Sequence, residues 1–226
     1  MKKTEMIYKL SQEYFREMDD YQSDTRDKIK IVAPERYLDF IDHVLKLRIK
    51  IHIKLIAILQ LSAGGRVSEI LNLKKKDLDL NKKQVTIKVL KKPKWKKEDK
   101  TILSKLKRSM GINPKRKAKV KHRQGAISPE LIPLLQEYSA SLSPEDKLFN
   151  ISRFGVLKAY KTLWGITSHS LRHSMITYMI TMQGVSWDWI MNHFYFTEVK
   201  TAHRYFKQST AHEADKIFKE NKKYGT

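Results

Sequence analysis

The stretch of residues 169–205 constrains the fold most, because it combines a helical apolar stripe with a cluster of reactive side chains. It carries several histidines, an arginine and a late tyrosine within 37 residues of otherwise largely apolar sequence. His169, Arg172 and His173 fall on neighbouring faces of one helical turn. Apolar residues then recur at the spacing of one buried helix face: Leu171, Met175, Tyr178, Met179 and Met182. The pattern predicts a buried helix whose first turn presents polar groups.

The second half of this stretch predicts two further helices. Gly184 is expected to end the first helix, and Ser186 is expected to cap the next one. A third helix is predicted from about Glu198, and Tyr205 falls outside the apolar side of that helix. A tyrosine in such a position, near several cationic groups, is placed where a reacting group rather than a core residue is expected. Tyr205 is therefore a candidate nucleophile, although a single tyrosine of this kind is as often an ordinary surface residue.

Positive charge is concentrated in the middle of the chain. The formal net charge is +22, and residues 74–123 contribute +17 of it, with 21 Lys or Arg against four acidic residues. A domain gains no stability from packing charges of one sign together, so the stretch indicates a surface for a polyanion such as nucleic acid. Any single lysine in it is as often a solvated surface residue.

The composition also excludes several classes of protein. The chain has no cysteine, which removes disulfides and thiolate chemistry. Its longest largely apolar run, at residues 55–61, is far too short to cross a membrane, and the N-terminal residues lack the apolar core of a signal peptide. We therefore expect an intracellular protein of the cytoplasm or nucleoid without membrane contact.

The remaining pattern predicts an α+β fold that is mainly α-helical, with a small antiparallel β-sheet. Residues 1–34 are expected to form an N-terminal helical arm, and residues 35–226 the main domain. Residues 49–55 alternate like a strand, but they run into the sequence LIAILQLSA, whose length favours a buried helix. Further helices are predicted from Pro34 and at residues 102–110, 130–138 and 153–164. The clearest strand is at residues 85–89, and its expected partner is at residues 118–127.

Two features of the sequence predict anion-binding residues: a pair of glycines directly before Arg66, and the basic segment between the two strands. Gly64 and Gly65 break the second helix, and Arg66 begins the next one. An arginine there predicts an anion contact, the alternative being a solvated surface residue. The basic insert, which we define as residues 91–121, carries 14 Lys or Arg. The candidate DNA contacts in and just after the basic insert are Lys96, Lys97, Lys117, Lys119, Lys121 and Arg123.

Five segments, in this order, resemble the catalytic domain of the tyrosine recombinase, or phage integrase, family. The resemblance runs from about residue 35 to residue 210. The segments are Gly65-Arg66-Val67-Ser68-Glu69-Ile70-Leu71, Ile127-Ser128-Pro129-Glu130-Leu131, His169-Ser170-Leu171-Arg172-His173, His193 and His203-Arg204-Tyr205. Each segment alone is a weak signal, and their common order makes the resemblance specific.

The resemblance implies a site-specific DNA recombinase, or integrase, that breaks and rejoins strands. Tyr205 would attack the scissile phosphate and remain linked to it at the 3′ end. Arg66 and Arg172 would hold the non-bridging oxygens, while His169 and His193 would donate hydrogen bonds or shuttle the tyrosine proton.

The resemblance gives the task of protonating the leaving 5′ oxygen to a lysine just past the first strand. Here that lysine is one of Lys91, Lys92 and Lys94. Glu69 is expected to orient Arg66 or His173 rather than to contact DNA.

The expected partners are double-stranded DNA and further copies of the chain, as a dimer or tetramer on DNA, in the integration or excision of a viral, plasmid or other mobile element. Two arginines take the place of a metal ion, so no metal and no cofactor is expected. His169 and His173 have the spacing of a zinc-binding pair, but Ser170 stands where the zinc protease motif has glutamate. A metal site is therefore the weaker alternative.

The sequence departs from the family pattern in three respects. The interval from His193 to Tyr205 is a few residues longer than usual, and Asn192 stands where glycine is common. The basic insert replaces a tight hairpin. Residues 1–34 leave no room for the separate DNA-clamping domain of most members, which predicts either an isolated catalytic domain or a minimal recombinase that uses the basic insert instead.

Two other classes of function remain open from the sequence. A type IB topoisomerase or a hairpin telomere resolvase would use the same catalytic groups on DNA. A non-catalytic DNA-binding protein would explain the charge, but it would not require the segment at residues 169–173 or Tyr205.

Overall fold

The structure, a computed structural model, describes residues 3–18, 29–89 and 121–196 of the chain. Its α-helices are α1 (Lys3–Ser11), α2 (Tyr37–Lys46), α3 (Ile51–Ala63), α4 (Val67–Ile70), α5 (Ile132–Ser139), α6 (Arg153–Trp164), α7 (Ser170–Thr181) and α8 (Trp187–His193). Its strands are β1 (Phe15–Met18), β2 (Ile29–Val32), β3 (Leu78–Asp79), β4 (Gln84–Val89) and β5 (Lys121–Ala126). The predicted fold class, α+β and mainly helical with small antiparallel sheets, is confirmed.

Helix α3 lies at the centre of the core because it is apolar on nearly every side. Residues 55–61 are all buried, and α2 and α7 pack against the helix. The prediction of a helix rather than a strand is confirmed for Ile51–Ala63. At Gly64 the backbone takes a φ of +60°, a left-handed conformation that glycine adopts without strain. This turn ends α3 and directs the chain into Arg66.

The N-terminal segment is only partly helical. Helix α1 packs on α6 and contributes Ile7 to the common core. Strands β1 and β2 pair antiparallel with Phe15 opposite Val32, so the prediction of a helical arm is wrong for these residues. The sequence of β2, rich in β-branched residues, favours a strand. The Val32 amide donates to Ser174 Oγ at 2.8 Å and fixes the hairpin to α7.

The second sheet has the order β3–β4–β5 and is antiparallel. The predicted pairing of the strands that flank the basic insert is confirmed. Val85 lies opposite Gly125, and Ile87 lies opposite Arg123. Because directly opposed residues share one face of a sheet, Arg123 occupies the same buried face as Ile87.

The predicted apolar stripe on α7 is buried only in part. Leu171 and Met175 are buried, Tyr178 and Met179 are half-buried, and Met182, the last residue of the predicted stripe, is 45% exposed. The reason is that α7 ends before it and the chain turns at Gly184, where φ is +61°. Ser186 caps α8 as predicted, by accepting a hydrogen bond from the Trp189 amide.

Several predictions fall on residues outside the described ranges. Among them are the helix at residues 102–110, the helix from Glu198, and the side chains of Lys91, Lys92, Lys94, Lys96, Lys97, Lys117, Lys119 and Tyr205. Within the described ranges, every helix is too short or too polar to cross a membrane.

Candidate active site

The site is built around the junction of α3 and α4, where Arg66 directly precedes α4. The Arg66 backbone N–H donates to Glu69 Oε2 at 2.9 Å, and Arg66 Nη1 donates to Glu69 Oε1 at 2.7 Å. A carboxylate at the third position of a helix reaches back to the amide before the helix in this way. Glu69 therefore orients Arg66, one of the two partners that the sequence offers for it, and the Arg66 side chain stays 31% exposed.

Glu69 is a buried carboxylate shared by two arginines. It is 2% exposed, and Arg172 Nη1 lies 3.7 Å from its Oε2. Burial opposes ionisation, but the hydrogen bond from the Arg66 backbone and the charges of Arg66 and Arg172 outweigh burial, so the pKa of Glu69 is lowered. The carboxylate is thus ionised and gives α4 a fixed negative charge.

Arg172 lies in the first turn of α7 and is 4% exposed. Its Nη1 donates to the carbonyl oxygen of Gly64 at 2.6 Å. Its guanidinium carbon lies 4.8 Å from the ring centre of Phe194 and 5.7 Å from that of Phe196. A guanidinium held between a helix-end carbonyl and aromatic faces retains its charge in a buried place.

Arg123 reaches the same region from β5. Its Nη1 donates to the carbonyl oxygen of Ala63 at 2.7 Å and lies 3.5 Å from His193 Nε2. Its guanidinium carbon lies 4.9 Å from the centre of the Phe194 ring. Burial lowers the pKa of Arg123 to about 10, which leaves the group protonated at neutral pH. The sequence predicts Arg123 as a DNA contact within a charged run, but not as a buried neighbour of Arg172.

His193, the last residue of α8, is a neutral imidazole at pH 7. Burial and, to a smaller extent, the charges of Arg123 and Arg172 together lower its pKa to about 4. Its ring stacks on Trp189, with ring centres 4.2 Å apart and planes 10° from parallel. These contacts fix the plane of the imidazole.

His169 and His173 lie at the start of α7 on the same side of the helix. The two ring centres are 6.2 Å apart; His169 is exposed and His173 is half-buried. Among the described residues, no group of three or more potential His, Cys, Asp or Glu ligands is close enough to hold a metal ion. The alternative of a metal centred on this pair therefore gains no third ligand from these residues.

Gln60 is a buried polar residue that the sequence did not single out. Its Nε2 donates to the carbonyl oxygens of Gly65 at 3.1 Å and Ser168 at 3.5 Å, and its Oε1 accepts from Tyr160 at 2.8 Å. Gln60 thereby joins the residue before Arg66 to the residue before His169. The available signal is the position of Gln60 inside the apolar run at residues 55–61.

Tyr195 forms a latch between the end of α8 and β5. Its hydroxyl donates to the carbonyl oxygen of His122 at 3.1 Å, and Lys121 Nζ lies 4.6 Å from its ring centre. The Tyr195 backbone has a φ of +52°, an unusual value for a residue with a side chain. Lys121 is exposed, so it remains a candidate DNA contact at the edge of the site.

The structure brings Arg66, Arg172 and His193 together, as the sequence predicts for an anion site, and adds Arg123. Glu69 contacts Arg66 and Arg172, and its single negative charge leaves the three arginines with a positive excess. Tyr205 and the candidate lysines Lys91, Lys92 and Lys94 lie outside the described residues, so their place in the site remains a prediction. A buried cluster of this sign is suited to an anion with several oxygens, such as a phosphodiester.

The chain belongs to the phage integrase family, whose model matches residues 30–212. The matched range contains all of the candidate catalytic residues and the basic insert. No curated protein sequence matches the chain closely enough to count as a relative.

Solved structures share the fold at low sequence identity. XerA recombinase matches with a TM-score of 0.55 and 17% identity, over 77% of this chain and 59% of its own. The catalytic domain of bacteriophage HP1 integrase matches with a TM-score of 0.50 and 17% identity, over 83% of this chain and 92% of its own. XerH site-specific recombinase, bound to a palindromic difH substrate in a post-cleavage complex, matches with a TM-score of 0.58 and 18% identity, over 84% of this chain and 53% of its own.

The chain thus spans less than two thirds of the two Xer proteins and nearly all of the HP1 catalytic domain. At such low sequence identity, the similarity to these solved structures shows the fold alone.

Proposed function

We propose that the chain is a site-specific DNA recombinase that cleaves and rejoins DNA through a 3′-phosphotyrosyl intermediate. The observation that carries the proposal is the convergence of Arg66, Arg172 and His193 at the end of α3, where the buried carboxylate of Glu69 contacts both arginines and the charge of Arg172 acts on His193. The resemblance to the phage integrase family assigns phosphate-binding roles to the same three residues.

The arginines bind and polarise the scissile phosphate. Arg66 is partly exposed and oriented by Glu69, so it can reach a non-bridging oxygen from the surface. Arg172 contributes a second guanidinium whose direction is set by the carbonyl oxygen of Gly64. Donors fixed in this way before DNA arrives stabilise the charge that develops on the oxygens of the five-coordinate phosphorus.

Tyr205 is the proposed nucleophile. Its phenol has an ordinary pKa of about 10, so it must lose its proton as it attacks phosphorus. The bond from phosphorus to the 5′ oxygen breaks as the bond to the tyrosine oxygen forms. The leaving oxygen takes a proton from one of Lys91, Lys92 and Lys94, and the phosphate charge is unchanged overall. Attack by a 5′ hydroxyl of the partner strand reverses these steps and reseals the DNA.

The histidines take different parts in this scheme. His193 is neutral at pH 7 because its pKa is lowered to about 4 by burial and by the neighbouring arginines. The positive charge at the phosphate therefore comes from the arginines. His169 is exposed at the start of α7, and its proposed part is to donate to the phosphate or to move the tyrosine proton.

The partners follow from the reaction and the charge. Double-stranded DNA would be held by the site and by the basic insert, with Lys96, Lys97, Lys117, Lys119 and Lys121 on its phosphates. Two defined sites are joined only when copies of the enzyme associate, so a dimer or tetramer on DNA is proposed. We propose the cytoplasm or nucleoid as its location, because a protein that acts on mobile-element DNA must reach that DNA. Residues 35–226 would form the catalytic domain, with residues 1–34 as an arm.

A library of random duplex DNA tests the proposal. The protein is incubated with the library, covalent protein–DNA adducts are trapped by denaturation, and the attachment points are sequenced. We expect adducts at one related set of sequences, each through a 3′ phosphate. Adducts scattered over unrelated sequences, together with relaxation of supercoiled DNA, would indicate a topoisomerase. Binding without any adduct would contradict an enzymatic function.

A further inference from the structure

We infer that Arg123 is a third arginine of the phosphate site and that its Nη2 donates to the scissile phosphate. The inference rests on the proposed function, because it names a further catalytic residue for the same reaction. Four observations support it: the position of Arg123 on β5, the hydrogen bond that holds its guanidinium, its unused donor and its contact with His193.

The strand places Arg123 where an apolar residue is expected. Its neighbour across the sheet, Ile87, is fully buried, and Arg123 itself is 6% exposed. Gly125, two residues further on the same face, has no side chain, and an added Cβ there would lie 2.6 Å from Ala63 Cβ. Strand β5 therefore lies directly against the end of α3. Burying a guanidinium costs free energy unless its charge and donors are used.

Arg123 and Arg172 are held in the same manner by consecutive residues. Arg123 Nη1 donates to the Ala63 carbonyl oxygen, and Arg172 Nη1 donates to the Gly64 carbonyl oxygen. These carbonyls lie at the C-terminal end of α3, where the helix dipole favours cations. The two guanidinium carbons lie 4.9 and 4.8 Å from the centre of the Phe194 ring. The structure thus builds two arginine positions of one kind, and the proposed function uses only one of them.

A donor of Arg123 remains unused. Its Nη2 is buried and has no hydrogen-bond acceptor among the described residues. Such donors are rare in folded proteins, because each costs the hydration it loses. An oxygen of a bound phosphate would satisfy it.

The contact with His193 shows why Arg123 takes the donor role here. A guanidinium has donors and no acceptor, so the 3.5 Å contact of Arg123 Nη1 with His193 Nε2 requires a lone pair on that nitrogen. The imidazole proton then lies on Nδ1, and Nε2 is directed to Arg123. The lowered pKa of His193 agrees with this neutral form. His193 therefore orients Arg123, and Arg123 Nη2 makes the donation to phosphate.

The test uses one duplex oligonucleotide carrying an attachment sequence found with the library, with either a normal or a methylphosphonate linkage at the scissile position. The methylphosphonate replaces a charged oxygen by methyl, so it no longer needs a cation there. Arg123→Ala should form adducts about 100-fold more slowly on the normal duplex, with DNA affinity changed little. On the methylphosphonate duplex its rate should approach that of the wild type.

The controls separate the possible failures. Arg153→Ala removes an exposed arginine at the start of α6 and should leave the ratio of the two rates as in the wild type. An Arg123→Ala variant slowed equally on both duplexes, or not slowed on either, would overturn the inference. A wild-type protein that forms no adduct on the normal duplex would instead contradict the proposed function.

A second measurement needs no DNA and is independent of folding yield. The titration of His193 is followed by ¹⁵N-detected NMR of the full chain. In the wild type the midpoint should lie near pH 4, with Nε2 as the unprotonated nitrogen above it. Arg123→Ala should raise the midpoint part of the way toward the ordinary value of 6.5, since burial and Arg172 still lower it. An unchanged midpoint would show that Arg123 does not face His193 and would overturn the inference.

Discussion

At the scale of single residues, the end of α3 gathers more positive charge than the carboxylate of Glu69 neutralises. Arg123 and Arg172 are 6% and 4% exposed, so water screens them weakly. Helix-end carbonyls and the Phe194 ring stabilise the two guanidinium groups in part. The excess charge remains until an anion binds, which is why a phosphodiester should stabilise the fold as well as react there.

The substitution Glu69→Gln tests the balance of charge. It keeps the shape of the side chain but leaves Arg66 and Arg172 without the carboxylate between them. Removing one partner of a buried ion pair should lower the free energy of unfolding by about 3 kcal/mol, which urea denaturation measures. The exposed Glu145, which pairs with Lys74 and Lys76 at 2.8 and 2.6 Å, supplies the control Glu145→Gln, for which little change is expected.

The dependence of stability on pH provides a second test of the role of Glu69. The folded-state pKa of Glu69 lies below its ordinary value of 4.5, so its contribution to stability is fully present above about pH 4.5 and is lost as the pH falls through the lowered pKa. The wild type should lose this part of its stability on acidification, and Glu69→Gln should not. Equal losses for Glu69→Gln and Glu145→Gln at neutral pH would contradict the special role of Glu69.

A residue of the site could be predicted from the sequence only where its side chain belonged to a local sequence pattern. Arg66, Glu69 and Arg172 lie in short segments whose order along the chain indicated an anion site. Arg123 and Gln60 did not stand out in this way. The burial of Arg123 depends on its pairing with β4, and the contacts of Gln60 depend on the packing of α3 against two distant loops, so neither follows from spacing along the chain.

At the scale of elements, the approach of β5 to α3 sets the position of Arg123. An alanine Cβ at Gly125 would lie 2.6 Å from Ala63 Cβ and 3.1 Å from Ala63 Cα, so Gly125→Ala must push the strand away from the helix. We expect a lower melting temperature and a slower formation of covalent adducts. The matched control is Gly155→Ala in α6, where the nearest atoms belong to the flexible side chain of Ile151 at 3.1 and 3.3 Å. If both variants behave alike, the close approach does not position Arg123.

The basic insert carries the second prediction at this scale. Its residues 97–116 lie outside the described ranges, and the prediction rests on their charge. Each phosphate neutralised on duplex DNA steepens the fall of log affinity with log salt by roughly 0.9. Deleting residues 97–116 should therefore flatten the salt dependence by several units and weaken binding to all sequences about equally. An unchanged slope would mean that the insert faces away from DNA and that an acidic protein partner explains its charge.

The elements themselves followed from sequence wherever a long periodic pattern existed. The apolar run that includes residues 55–61 gave α3, and the alternation at residues 85–89 gave β4. The hairpin of β1 and β2 was missed because each strand has four residues and their partners are separated in the chain. Pairing of such short strands depends on the surface of α7 beneath them, to which the Val32 amide is bonded.

At the scale of the whole molecule, the proposed chemistry should be independent of metal ions. Arginines supply the positive charge around the phosphate, and the proposed proton donor is a lysine. We expect adduct formation on the attachment duplex to continue at an unchanged rate in excess chelator. A loss of activity that magnesium or zinc restores would assign the phosphate charge to a metal ion and would require a different mechanism.

The central claim is that Tyr205 becomes linked to a DNA 3′ phosphate, and peptide mapping of the trapped adduct tests it most directly. The adduct is digested with protease and nuclease, and the modified peptide is identified by mass spectrometry. We predict the nucleotide on Tyr205, no adduct from Tyr205→Phe at nearly unchanged DNA affinity, and a normal adduct from Tyr195→Phe, whose hydroxyl is bonded to the His122 carbonyl. A nucleotide on Tyr195, or adducts that persist in Tyr205→Phe, would contradict the account.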